Sequence, residues 1–271
     1  LGAKIYEEDG YLCSKVESYP LKGTDIHLRL RSTGATENAI LASCLAQGET
    51  TVWNPHIRPE VLDLVDMLNK MGADIKVYGQ QAIVIQGVES LRGVRHTVIA
   101  DNMEALTWLV GASITDGDIR IPHFPFQHLE VPLIHLRESG VRSYKGNDGS
   151  LIVRGCQPYP IEISTGPYPG INSDMQPILA VLGAVAKGKS RIVDLRFPGR
   201  YSYANELTKM GAKMGVNGDM LEITGGERLV GAHVYASDLR AGISLVLAGL
   251  VADGETVIEN SWQIHRGYER L

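Results

Sequence analysis

Cysteine, excess basic charge and long apolar runs are scarce or missing in this sequence. The three cysteines, Cys13, Cys44 and Cys156, lack the spacing of a metal site, and their odd number does not suit a disulfide framework. We therefore expect a reducing, cytoplasmic compartment. The net charge of -5 provides no basic field, so we expect no nucleic-acid partner. No apolar run reaches the roughly 18 residues of a membrane-spanning helix, so we expect no membrane partner either.

Apolar residues, in contrast, are plentiful. The chain has 271 residues, of which 44% are hydrophobic. This length and composition are sufficient for a sizeable core and predict two domains or two halves.

A repeat runs through the chain. After an apolar helical segment, a glycine-centred turn leads into a β-type segment four times, at Gly48, Gly117, Gly188 and Gly254. A second marker, a glycine that closes another helix before a strand, also occurs four times, at Gly2, Gly72, Gly140 and Gly211. Both markers recur with a period of about 70 residues, which indicates a repeat architecture.

Each repeat is predicted to contain a helix, a strand, a loop, a second helix and two strands, in an α/β fold. In the clearest repeat, these elements are predicted at residues 36–46, 50–53, 59–71, 73–77 and 82–86. Hairpin turns are predicted at 145–149 and 216–219, where Gly, Asn and Asp cluster.

The two ends of the chain each match only part of a repeat. Residues 1–28 match only the tail of a repeat, and residues 232–271 match only its head. Since terminal elements of a repeat fold must be covered, we expect the sequence to be a portion of a longer chain. The alternative is a naturally short protein with irregular ends.

Acids recur where the first helix of each repeat begins. Asp101, Asp174 and Asp238 hold equivalent positions before apolar runs, where a carboxylate suits helix capping. The first repeat has Ser32-Thr33-Gly34 there instead. The amides of such a helix start suit either plain capping or the binding of a phosphate or diphosphate.

Three arginines lie near these helix starts. Arg240 follows Asp238, and Arg200 and Arg266 lie in equivalent loops of successive repeats. They either form surface salt bridges or hold the carboxylate and phosphate of a small dianionic substrate. Among the eight histidines, we place only His265 near a site.

Four motifs resemble those of the UDP-N-acetylglucosamine 1-carboxyvinyltransferases, a family of enolpyruvyl transferases. They are GATEN at 34–38, PYPGINSDMQ at 167–176, SDLRAG at 237–242 and HRGYE at 265–269. The resemblance spans the chain and implies two domains, each an inside-out α/β barrel of three βαβαββ units, with the active site in the cleft between them. It implies that 1–99 is the C-terminal part of a truncated first domain and that 100–271 is the second domain.

The resemblance also implies a function. The enzymes of this family transfer the enolpyruvyl group of phosphoenolpyruvate to the 3-hydroxyl of UDP-N-acetylglucosamine, without cofactor or metal, and open peptidoglycan precursor synthesis. By resemblance, Asp174 takes the hydroxyl proton, and Asp238 orients groups around the protonated methylene carbon. The residues expected to bind the substrates are Arg200, Arg240 and Arg266 for phosphoenolpyruvate, and Leu30, Arg31, Ser32, Thr33, Gly34 and, by its main chain, Arg196 for the nucleotide.

Some family features are absent or altered. The mobile loop with its Cys or Asp general acid, and a Lys-Asn pair, are expected before residue 1, so we expect little or no turnover from these 271 residues alone. The usual Arg-Glu appears as Ile57-Arg58 before Pro59, and the usual Asp-Arg as Asp101-Asn102. Two alternatives therefore stay open: an enolpyruvyl transferase acting on another uridine nucleotide such as UMP, and a non-catalytic nucleotide-binding relative.

Overall fold

A computed structural model describes residues 1–17, 19–269 and 271. The chain divides into two compact units, Leu1–Ile99 (unit 1) and Ala100–Leu271 (unit 2). Each unit combines helices and strands and buries its own apolar cluster.

Unit 1 contains a hairpin and a four-stranded sheet that carries two helices. The hairpin pairs two antiparallel strands whose residues are nearly all exposed. The sheet has the order β3-β4-β6-β5, with β3 and β4 parallel and the other pairs antiparallel. The elements are β1 (Ala3–Glu8), β2 (Tyr11–Val16), β3 (Asp25–His27), α1 (Thr33–Ser43), β4 (Glu49–Trp53), α2 (Pro59–Lys70), β5 (Asp74–Tyr78) and β6 (Ala82–Gln86).

The ends of α1 and α2 follow from local sequence. Ser32 caps α1, because its Oγ accepts a hydrogen bond from the Ala35 amide at 3.3 Å. The helix therefore begins at Thr33 rather than at the predicted residue 36. Helix α2 begins at Pro59 as predicted, since proline lacks the N–H that would be unpaired at a first helical position.

Unit 2 contains three further sheets. Their strand orders are β7-β9-β8, β10-β11-β13-β12 and β14-β15. The elements are α3 (Asn102–Ile114), β7 (Asp118–Ile121), α4 (Glu130–Glu138), β8 (Arg142–Lys145), β9 (Leu151–Arg154), β10 (Glu162–Ser164), α5 (Gln176–Val185), β11 (Gly188–Val193), α6 (Ser202–Lys209), β12 (Lys213–Asn217), β13 (Met220–Gly225), β14 (His233–Tyr235), α7 (Leu239–Gly249), β15 (Val257–Glu259) and α8 (Trp262–His265).

The predicted α/β class is confirmed. The βαβαββ order is complete in two repeats, whereas the repeat from α3 to β9 has no first strand among the described residues. The sheets β3-β4-β6-β5 and β10-β11-β13-β12 have the same order and the same pattern of parallel and antiparallel pairs. The antiparallel pairs β8/β9 and β12/β13 confirm both hairpin turns. The repeat deduced from glycine spacing did not include a first strand. Residues 1–28 were therefore expected to hold only the tail of a repeat, which is wrong, because they also contain β3, the first strand of the next repeat.

Helices α3, α5 and α7 form the centre of unit 2. They pack on one another and are buried along nearly their whole length. A helix that is apolar on all sides must be covered on all sides, and the sheets provide this cover. In β11, for example, Ser190 and Ile192 face inward, whereas Lys189 and Arg191 are exposed. The helices therefore lie inside and the sheets outside.

Candidate functional site

Asp174 lies in a short 3-10 turn, Ser173–Met175, directly before α5. Asn172 caps this turn, because its Oδ1 accepts the Asp174 amide at 3.2 Å. The prediction that Asp174 shares one capping position with Asp101 and Asp238 is therefore wrong. Those two carboxylates each accept two amides, at the starts of α3 and α7, whereas the Asp174 carboxylate binds other side chains.

Two guanidinium groups contact the Asp174 carboxylate. Its Oδ1 accepts from Arg200 Nη1 at 2.7 Å, and its Oδ2 lies 3.8 Å from Arg240 Nε. Arg200 precedes α6, and Arg240 lies in the first turn of α7. About a third of the Asp174 side chain is exposed (33%), so solvent still reaches the carboxylate. The structure therefore brings together three of the predicted site residues.

Asp238 and Arg266 lie at the ends of neighbouring helices in unit 2. Asp238 Oδ1 accepts the amides of Arg240 at 2.7 Å and Ala241 at 3.0 Å, which fixes the first turn of α7. Arg266 follows α8 and donates to Gln263 Oε1 at 2.9 Å. Within the residues that the structure describes, the salt bridges of Asp174 do not include Arg266.

A second carboxylate, Asp194, is fully buried directly after β11. Its Oδ1 accepts from Thr165 Oγ1 at 2.6 Å and from the amides of Arg196 and Phe197, both at 2.9 Å. Its Oδ2 accepts from Ser173 Oγ at 2.5 Å and from Gln176 Nε2. Asp194 thus receives five hydrogen bonds. It connects the loop that contains Arg196, a predicted nucleotide contact, to the turn that contains Asp174.

The environment of Asp194 favours its ionised form. Burial alone would raise the pKa of this carboxyl group. The hydrogen bonds from the Ser173 and Thr165 hydroxyls and the Phe197 and Arg196 amides outweigh burial and hold the pKa below its ordinary value. A buried, saturated carboxylate of this kind is suited to organising structure rather than to taking up a proton.

Tyr268 connects the HRGYE segment to α3. Its buried hydroxyl lies 2.7 Å from Thr107 Oγ1. Burial raises the pKa of Tyr268, while the interactions with Thr107 and with the nearby Arg240 charge lower it. The phenol therefore stays protonated at neutral pH, and its place beside Arg240 restricts where that guanidinium can lie.

In unit 1, the predicted nucleotide-binding residues surround the start of α1. Thr33 Oγ1 lies 2.9 Å from Nδ1 of the buried His56, and Arg31 Nε donates to Asn54 Oδ1 at 3.1 Å. The Leu30 side chain is mostly exposed. A Cβ on Gly34 would meet no atom within 4 Å, so this part of the helix start is open.

The altered motif before α2 forms a compact charged group. Arg58 donates to both oxygens of Glu60, at 2.6 and 2.7 Å, while Ile57 is buried. Burial raises the pKa of nearby Glu37; the Arg58 charge lowers it and the Glu60 charge raises it. Arg58 therefore adds a positive charge that acts on two acids at the start of α2.

Other expectations concern thiols, metals and membranes. Cys44 is buried, and burial raises the pKa of its thiol, whereas Cys13 and Cys156 are partly exposed. Among the described residues, no group of three or more His, Cys, Asp or Glu is arranged to hold a metal ion. No helix in the described part of the chain is long and apolar enough to cross a membrane.

Comparison with known families gives a match along the entire chain. Residues 1–271 match the family model described as EPSP synthase (3-phosphoshikimate 1-carboxyvinyltransferase). The chain is 42% identical to a UDP-N-acetylglucosamine 1-carboxyvinyltransferase of Shewanella sediminis and 41% identical to one of Caldanaerobacter subterraneus subsp. tengcongensis. Both alignments cover 100% of this chain, which spans 65% of the length of these relatives.

Solved structures agree with this match. The enolpyruvyl transferase NikO from Streptomyces tendae aligns with a TM-score of 0.87 and 29% identity, over 98% of this chain and 66% of NikO. EPSP synthase from Acinetobacter baumannii aligns with a TM-score of 0.72 and 22% identity, over 98% of this chain and 65% of that enzyme. The second similarity concerns the fold alone.

Proposed function

We propose, since the chain belongs to the EPSP synthase family of enolpyruvyl transferases, that the protein transfers the enolpyruvyl group of phosphoenolpyruvate to the 3-hydroxyl of UDP-N-acetylglucosamine. Phosphate is the second product, and the reaction would open peptidoglycan precursor synthesis. The observation that carries this proposal is the contact of the Asp174 carboxylate with Arg200 and Arg240.

Asp174 is the proposed general base. In the first half of the reaction, the acceptor oxygen bonds to C2 of phosphoenolpyruvate, its proton passes to a base, and C3 gains a proton. In the second half, the C2–O bond to phosphate breaks and C3 loses a proton, which restores the double bond. A carboxylate that is one third exposed and fixed by two guanidinium groups can reach a substrate hydroxyl within hydrogen-bond distance.

Arg200 and Arg240, with Arg266, are the proposed phosphoenolpyruvate ligands. The substrate carries a carboxylate and a phosphate, and guanidinium groups bind both as planar, permanently charged forks. Charge that develops on these groups as C2 becomes tetrahedral would be stabilised by the same arginines. The cap that Asp238 provides to α7 fixes the direction in which Arg240 extends.

The nucleotide is proposed to bind at the start of α1. Thr33 and Arg31 already have protein partners, so the first-turn amides are the groups that a diphosphate would meet there. Main-chain atoms from Leu30 to Gly34 therefore provide the proposed contacts.

A second acceptor is supported by one feature of unit 1. Arg58, with Glu60 and Glu37, gives the α2 start a charge pattern that differs from the usual Arg-Glu. A differently charged group near a binding surface changes which polar acceptor is favoured. Another uridine nucleotide, such as UMP, is the corresponding alternative substrate.

Phosphate release by the full-length protein tests these proposals. With phosphoenolpyruvate, we expect release with UDP-N-acetylglucosamine and little with UMP. The reverse preference would establish the alternative acceptor. Nucleotide binding without phosphate release in either case would support a non-catalytic relative and overturn the proposed reaction.

Asp174→Asn tests the base. We expect kcat to fall by about 10²- to 10⁴-fold, the usual effect of losing a general base, while the fold remains stable because a pair of this exposure contributes at most about 1 kcal/mol. Asp118→Asn is the matched control, since Asp118 forms a surface pair with Arg154 at 2.9 Å. Equal activity of the two variants would remove Asp174 from the mechanism.

A further inference from the structure

We propose that Asp194 is a positioning residue that holds Asp174 and Arg200 at their working separation. This inference rests on the proposed enolpyruvyl transfer. It assigns to Asp194 no contact with substrate, only the fixing of the two segments that carry the proposed base and a phosphoenolpyruvate ligand.

The two oxygens of Asp194 bind different segments. Oδ2 accepts from Ser173, the residue before Asp174, and from Gln176, two residues after it. Oδ1 accepts the amides of Arg196 and Phe197, which begin the loop leading to Arg200. One buried carboxylate therefore bridges the turn that carries the base and the loop that carries the arginine.

The same residue closes the far end of the arginine loop. The Asp194 amide donates to the Tyr201 hydroxyl at 2.8 Å, and that hydroxyl donates to the Asp219 carbonyl at 2.5 Å. Tyr201 is buried and directly follows Arg200. The backbone of residues 194–201 is thus tied at its start by the Asp194 side chain and at its end by the Asp194 backbone.

Two other repeats provide an internal comparison. Asn54 directly follows β4 and donates to the Leu28 carbonyl at 2.9 Å; Asn260 directly follows β15 and donates to the Ala236 carbonyl at 2.8 Å. Asp194 is the equivalent residue after β11. A neutral amide is therefore sufficient to join the two parallel strands of a repeat, and the carboxylate stands in the repeat that also carries Asp174.

The number of donors explains why a carboxylate is required. Gln176 Nε2 and the two backbone amides can only donate, so an acceptor must face each of them. In Asp194→Asn, Nδ2 would face either the Gln176 amide or the two backbone amides. Either the loop that begins at Arg196 would lose its tie, or the Gln176 amide would turn over and its Oε1 would leave the Tyr203 hydroxyl. Asparagine itself is accepted at this position of the fold.

The test measures kcat, the KM values and the melting temperature of the full-length protein. We expect Asp194→Asn to fold and to lower kcat by about 10²-fold, because a displacement of roughly 1 Å in a reacting group has that effect. A purely structural role would lower the melting temperature and the active fraction, but would leave kcat per folded molecule unchanged.

A double-mutant cycle identifies the residue through which Asp194 acts. If Asp194 acts through Asp174, then Asp194→Asn should change kcat by less than about twofold when Asp174→Asn is already present. The same loss in both backgrounds, or an unchanged kcat in the single variant, would overturn the inference. A wild-type protein that releases no phosphate would overturn the proposed function and this inference together. If the wild-type protein is active, the proposed function stands, and the kcat values of the Asp194→Asn variants alone decide the inference.

Ser173→Ala keeps the inference testable if Asp194→Asn does not fold. It removes one donor to Asp194 beside the proposed base. We expect kcat to fall by about tenfold, less than for Asp194→Asn, because the base is displaced by less than roughly 1 Å when the other ties remain. Ser113→Ala is the matched control, because the buried Ser113 hydroxyl bonds only to the Leu109 carbonyl of its own helix among the described residues. Equal kcat values for the two variants would contradict the positioning role.

Discussion

Replacement of Gly225 by alanine should destabilise unit 2 strongly. Gly225 ends β13 where the strand passes the C-terminal end of α5. A Cβ at this position would lie less than 3.0 Å from the carbonyl oxygens of Gly183, Ala184 and Ala186, a separation that Cβ atoms essentially never show. These are backbone atoms, so no side-chain rotation relieves the overlap, and α5 must move away from the sheet.

The magnitude follows from the kind of overlap. Overpacking of a core costs about 1–3 kcal/mol, and three fixed backbone oxygens place Gly225→Ala at the upper end, about 3 kcal/mol. For a domain of this size, about 1 kcal/mol lowers the melting temperature by about 2–4 °C. We therefore expect a decrease of about 6–12 °C for the transition of unit 2.

Gly215→Ala provides the control in the same hairpin. Gly215 lies in β12, where a Cβ would meet no atom within 4 Å, so alanine should be neutral or slightly stabilising. Differential scanning calorimetry of both variants in the full-length protein measures the difference. Melting of Gly225→Ala within about 2 °C of Gly215→Ala would show that the close approach of β13 to α5 does not constrain the fold.

Two further predictions concern buried side chains. Tyr268→Phe should cost about 0.5–1.5 kcal/mol, because the hydrogen bond to Thr107 is lost, and should raise the KM for phosphoenolpyruvate; an unchanged melting temperature and KM would contradict the role of Tyr268 beside Arg240. Since burial raises the pKa of Cys44 and the thiolate is the reactive form, alkylation at pH 7 to 8 should label Cys13 and Cys156 first. Cys44 should react faster as the pH rises or after unfolding, and mass spectrometry of the native protein would reveal any early labelling of Cys44.

Sequence patterns predicted the repeat because glycine has a local physical reason to recur. Gly48, Gly72 and Gly188 all have positive φ, which glycine adopts without steric cost, so the turns are visible without the tertiary structure. The first strand was missed in the three repeats that have one, because β3, β10 and β14 have three residues each. Alternation of side chains cannot be recognised over so short a segment.

The assignment of Asp174 as a helix cap failed for a different reason. Asn172, Ser173 and Asp174 are all residues that can cap a helix, and the sequence alone does not indicate which of them does so. In the structure, Asn172 caps the 3-10 turn and Ser173 binds Asp194. The choice depends on a partner 21 residues away in sequence, which is a tertiary contact rather than a local preference.

Asp194 was missed because an acid that follows a strand usually indicates a loop, although Asn54 and Asn260 at the equivalent positions were a usable signal. The contrast between Asp194 and Asp174 then shows how surroundings separate two identical side chains. Asp194 is buried and receives five hydrogen bonds, so proton uptake would break the contacts that hold two segments together. Asp174 is partly exposed and bound by two guanidinium groups that also suit anionic ligands. In the proposed mechanism, Asp194 therefore maintains the geometry of the site, and the base is a separate carboxylate that the fold does not use as a tie.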